Sequence, residues 1–81
     1  MNQFIIELEQ EDDGRWIAEI PTLPGALCYG KSKEDAERTV EALALRILAD
    51  RVESEEKIPE FAHHFFAFAW VDGLLAKLKK F

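Results

Sequence analysis

One cysteine, Cys28, is all the thiol in the chain, so no internal disulfide can staple the fold. With no charged-then-apolar leader at its start either, a reducing cytoplasm is the expected compartment. Basic residues are also scarce: ten Lys and Arg face sixteen Asp and Glu, a formal charge of -6. A surface of that sign repels a polyanionic backbone, which argues against nucleic acid as the main ligand and favours a basic protein partner. Long apolar runs are missing too. Residues 61–71, as long an uncharged stretch as any, hold two histidines and are too short to span a bilayer, so no membrane association is expected. Neither an internal repeat nor a Gly/Ser/Pro-rich linker divides the chain, and its four Gly and three Pro are spread singly at turn-like positions.

What is present suffices for one small domain. The 48% hydrophobic content, with six Phe, two Trp and one Tyr in 81 residues, gives a real core, and the 32% charged content keeps it in water. A domain of this size buries a modest fraction of its surface, so self-association is expected.

Residues 3–9 alternate, with Phe4, Ile6 and Leu8 on one side and Ile5, Glu7 and Glu9 on the other, the period of a half-buried strand. A polar turn ending in Asp13-Gly14, longer than two residues, leads to a second strand over residues 15–20. There Trp16, Ala18 and Ile20 face the core while Arg15, Ile17 and Glu19 face water, so both strands carry carboxylates on the wet side. Pro21 and Pro24 end that strand, Pro24-Gly25 has the residues of a type II turn, and residues 26–29 allow a short third strand. Gly30 is expected to relax the backbone before a helix that Ser32 and Asp35 cap and that begins near Lys33.

Along that helix Ala36, Val40, Leu43, Ala44 and Ile47 form a stripe to lie on the sheet. A charged end follows at residues 51–57, with Pro59 expected to stop it. A second stripe, Ala42, Leu45 and Ala49, sits on the opposite face and is expected to meet another subunit or a partner. Residues 61–71 suggest an aromatic strand beside the first, with Phe66, Phe68 and Trp70 inward. Residues 71–81 suggest a short basic amphipathic helix, in which Leu74 and Leu78 would need a surface to lie on. The expected architecture is α+β: a two-layer β-β-β-α-β antiparallel sheet with one long covering helix over residues 1–70, then the short terminal helix.

Chemistry is thinly represented. His63 and His64 are adjacent, and neighbours on a strand point to opposite faces, so they suit the entry of a strand better than a shared metal. Cys28 has no local His or Asn to activate it and fits a small core hydrophobe. The acidic run Glu7, Glu9, Glu11, Asp12, Asp13 and Glu19 lacks the ligand spacing of a calcium loop. No catalytic residue, metal ligand or cofactor is assigned. The residues describe a binding module rather than an enzyme, with Glu7, Glu9 and Glu19 as the electrostatic contact and Trp16 and Tyr29 as structural aromatics.

The pattern Gly14-Arg15-Trp16-x-Ala18-Glu19-x-Pro21-x-Leu23-Pro24-Gly25, followed by Tyr29-Gly30 and Glu34-Asp35-Ala36, resembles the N-terminal domain of the HicB antitoxin family over residues 4–70. The resemblance implies a partial ribonuclease-H-like fold and a role as antidote to HicA, a small basic messenger-RNA-cleaving toxin with a double-stranded-RNA-binding fold. It also gives the negative charge a purpose, since complementary charge speeds capture of a basic partner. Ribonuclease H chemistry needs carboxylates on the first strand, the helix and the fourth strand. Glu7 or Glu9 and Glu37 or Glu41 could supply two of them, residues 64–70 supply none, and Asp72 is a poor third, so the implied site is degenerate. Many family members continue into an operator-binding domain; residues 71–81 are too few to form one, so direct DNA binding is not expected. Two other readings stand beside this one: a stand-alone RNA-binding or degenerate metal-dependent nuclease, and a purely structural oligomer.

Overall fold

The computed structural model describes residues 3–60 and 62. Three short strands, β1 (Glu7–Gln10), β2 (Trp16–Glu19) and β3 (Leu27–Gly30), precede one long helix, α1 (Lys33–Glu53). The strands form an antiparallel meander in the order β1-β2-β3, and α1 lies against one face, mainly across β2 and β3. The chain is therefore α+β, a sheet with one covering helix. The expected strand over residues 61–71 and the terminal helix with Leu74 and Leu78 fall outside the described residues. At their boundary the Ala62 N–H donates to the Pro59 carbonyl at 2.9 Å.

Each connection has a physical reason in its residues. Between β1 and β2, the Gly14 N–H donates to Glu11 O at 2.9 Å and the Glu11 N–H to Arg15 O at 2.7 Å. This tight loop needs a left-handed residue at its last corner, and Gly14 takes a φ of 91° there. Asp13 locks the turn from outside: its carboxylate accepts from the Arg15 backbone N–H at 3.0 Å and from the Arg15 guanidinium at 2.8 Å. Both bonds hold its carboxyl below the ordinary aspartate range, the backbone bond contributing most.

After β2 two turns follow in succession. Leu23 N–H donates to Ile20 O, and Ala26 N–H donates to Leu23 O, both at 3.0 Å. In the second turn Pro24 and Gly25 occupy the central positions, and Gly25 has a φ of 94°, the type II geometry that their order predicts. The loop drives Leu23 and Ala26 into the core and is tied to the far end of α1, where the Arg51 guanidinium donates to Pro24 O at 3.1 Å.

Capping at the start of α1 follows the expected logic with one change. Ser32 Oγ accepts from the Asp35 N–H at 3.0 Å, while Asp35 reaches back past Ser32 to the Lys31 N–H at 3.1 Å. Asp35 also accepts from Arg38 at 3.1 Å, so one carboxylate satisfies a backbone donor and an ion pair where the helix dipole favours negative charge.

Three expectations need correcting. Gly30 does not relax the backbone; it provides clearance, since a Cβ there would sit 2.5 Å from the Ala36 backbone nitrogen and 2.8 Å from its Cα. The helix ends at Glu53 rather than running towards Pro59. Its end is a Schellman arrangement in which Glu55 N–H donates to Val52 O and Glu56 N–H to Arg51 O, with Glu55 at a φ of 59° in the place glycine usually takes. Finally, the helix stripe facing the sheet centres on Ala36, Val40, Ala44 and Leu48, with Ile47 half-buried beside it. Leu48 belongs to this core, whereas Leu43 is only half-buried.

Candidate partner-binding face

The alternation read in the sequence divides the sheet into two surfaces of opposite character. Register pairs Leu8 with Ala18 and Ala18 with Cys28, and these three face α1. Cys28 is held there, with its Sγ 3.5 Å from Ala36 O as donor. Burial, with the Asp35 charge adding to it, pushes its thiol above the ordinary cysteine range and so disfavours the thiolate.

The residues between them face away from the helix. Glu7 lies opposite Glu19, Glu9 opposite Ile17, Ile17 opposite Tyr29, and Glu19 opposite Leu27. The sequence-predicted contact residues Glu7, Glu9 and Glu19 are thus brought together, around a shallow recess of about 320 Å³ that Ile17 also lines. Like charges directly opposite in a ladder destabilise it, so a Glu7–Glu19 pair is a cost that folding alone does not explain.

Beside this acidic half runs an apolar half the sequence reading did not assign to a site: Ile17, Leu27 at 43% exposure and Tyr29 at 45%. Tyr29 is therefore not a buried structural aromatic. Its ring lies on the outer face with the Arg15 guanidinium 4.4 Å from its centroid, a cation–π contact that orients both side chains. Trp16, by contrast, is half-buried and packs against the core, as expected. The signal for Leu27 and Tyr29 was available: an inward Cys28 forces both neighbours outward. β3 is too short for alternation to stand out unaided.

The second helix stripe also divides. Leu45 is 62% exposed, Ala49 is exposed and Ala42 half-buried, so the stripe does face away from the sheet. Leu45 also lines one wall of a groove of about 270 Å³ between α1 and the segment before β1, with Phe4, Ile6, Ile20 and Leu48. A larger open recess of about 440 Å³, at Glu55, Glu56, Lys57, Ile58 and Glu60, lies past the helix end, remote from the sheet face.

The carboxylates that a ribonuclease-H-like centre would recruit do not converge. Glu7 and Glu9 face away from the helix, whereas Glu41 sits on α1 beside the groove on the other side of the sheet. Among the described residues no three of His, Cys, Asp and Glu are grouped to hold a metal ion. His63 and His64 lie outside those residues. No described helix is long and apolar enough to cross a membrane. The arrangement can bind through charge and apolar contact; among the described residues it places no nucleophile beside a base.

Compared with protein-family models, curated proteins and solved structures, the chain has no significant match to any of them.

Proposed function

We propose that this chain is an antitoxin-type binding module that neutralises a small basic HicA-type ribonuclease by covering it, working as a protein partner rather than as an enzyme and without a cofactor. The observation that carries the reading is the convergence of Glu7, Glu9 and Glu19 on the sheet face away from α1, next to exposed Leu27 and Tyr29. Carboxylates steer a cationic partner and set its orientation, while Ile17, Leu27 and Tyr29 supply the apolar contact that slows its release. The resemblance of residues 14–36 to the HicB pattern supports the choice of partner.

The fuller ribonuclease-H-like plan, with a fourth strand beside β1, belongs to the same reading. β1 is an outer strand of the described sheet, and Ala62, 2% exposed, returns the chain to the core. A cytoplasmic, prokaryotic setting goes with it.

Co-expression with a HicA-type toxin tests the proposal. The wild-type chain is expected to restore growth and to co-purify with the toxin. Reversing Glu7, Glu9 and Glu19 together to Lys should abolish capture while the circular dichroism spectrum keeps its folded shape. A soluble toxin that stays active and unbound beside the wild-type chain would falsify the reading.

A further inference from the structure

The outer face of α1 lies on the other side of the molecule from the sheet's carboxylates, and its largest apolar side chains are Leu45, 62% exposed, and Val52, 56% exposed. With Ala49 between them they follow the i, i+4, i+7 spacing of a helix-packing seam. Nothing in the helix caps requires apolar residues there. Among the described residues nothing crosses the seam at its C-terminal end, since the turn through Ser54, Glu55 and Glu56 leads back to the core at Ile58 and Ala62.

We propose that this seam is the contact with a second copy of the chain, two α1 helices packing antiparallel about a two-fold axis at Ala49. The charges that flank the seam select that register. In an antiparallel symmetric pair, the same flank of each helix meets its counterpart. With the axis at Ala49, Arg46 of each copy comes opposite Glu53 of the other, with Asp50 also within reach. Leu45 packs against Val52 of the second copy, twice, and the Ala49 methyl groups let the helices close to about 8 Å at the crossing. Moving the axis to Leu45 would set Arg46 against its own symmetry mate and leave Val52 uncovered, so the Leu45-centred alternative loses on charge and on apolar contact alike.

The overlapping stretch is short, so the dimer dissociates on dilution rather than persisting as an obligate one. It leaves both outer sheet faces open, and so adds to the proposed partner face without competing with it.

Sedimentation of the full chain across a concentration series is the first test, and it should show a reversible monomer–dimer equilibrium. Leu45→Glu should leave only monomer, with the circular dichroism spectrum unchanged because the residue is exposed. Arg46→Glu and Glu53→Arg should each weaken the dimer about tenfold, two pairs being turned from attraction to repulsion, and the double variant should restore it. In a Cys28→Ser background, Ala49→Cys should form a disulfide-linked dimer under mild oxidation, while Glu41→Cys should not. A wild-type chain that stays monomeric at every concentration overturns the proposal. So does a dimer that survives Leu45→Glu, a double charge variant no better than either single one, or a failure of Ala49→Cys to cross-link.

Discussion

The two faces of this sheet are built from alternate residues of the same strands, yet they obey different rules. Towards the helix the side chains are small and close, Ala18, Cys28 and Gly30, and α1 approaches until its backbone nearly touches β3. Away from the helix stand Glu7, Glu9 and Glu19 beside Ile17, Leu27 and Tyr29, with room between them and like charges opposite each other. The inner face is constrained by volume and tolerates almost no added atom. The outer face is under no such volume limit, so on the proposed reading its composition answers to a partner. Neighbouring positions in sequence therefore carry separate kinds of information, stability at one residue and recognition at the next.

Substitutions can break that contrast or sharpen it. The largest effect is expected at Gly30, where Gly30→Ala would place a methyl 2.5 Å from the Ala36 nitrogen. Backbone cannot swing aside as a side chain can, so a loss of about 3 kcal/mol is expected in urea melts. A loss under about 0.5 kcal/mol would mean that the helix does not sit this close.

Next in size is a gain. Glu55 holds a left-handed backbone with a side chain that disfavours it, so Glu55→Gly should stabilise by about 1 kcal/mol, read as a raised unfolding midpoint. Because the site touches neither sheet face, partner capture should not change.

On the outer face, Glu19→Gln removes the like-charge opposition with Glu7 and should stabilise by a few tenths of a kcal/mol while weakening capture of a basic partner. Stability and binding moving in opposite directions is the signature of a recognition surface. If both fall together, the carboxylate has a structural role instead.

The smallest effect belongs to Asp13, whose carboxyl is held low by the Arg15 bonds. A lowered folded-state value means that its contribution is present above the ordinary aspartate range and is lost as pH falls through the depressed value. Asp13→Asn should therefore flatten the acid limb of the stability profile slightly and leave the neutral region nearly unchanged. An acid limb identical in both proteins would show that the turn does not depend on the ionised carboxylate.

Much of the fold is legible in the residues, for physical reasons that are easy to name. Period-two alternation set Leu8 and Ala18 inward and Glu7, Glu9 and Glu19 outward, and Pro24-Gly25 and Ser32-Asp35 fixed a turn and a helix start by local bonding. Where the reading fell short, the cause was not local. The clearance role of Gly30 depends on where Ala36 returns in space, and the helix stop at Glu55 uses a residue that carries no stop signal. Leu48 was missed because α1 is rotated slightly on the sheet relative to the stripe counted from Ala36. Tyr29 is legible only through its neighbour: an inward Cys28 turns its ring to the outer face, as the pairing of β2 with β3 shows.

The corner between β3 and α1 has one more consequence, which concerns the order of assembly. Cys28 Sγ meets Ala36 O, Gly30 abuts the Ala36 backbone, and Asp35 bonds to both Lys31 and Ser32, all within a short span of chain. Contacts so near in sequence cost little loop-closure entropy, whereas the packing of β1 against α1 closes a much longer loop. This corner is expected to be structured in the folding transition state, so that Val40→Ala slows folding while changes at Leu8 mainly hasten unfolding.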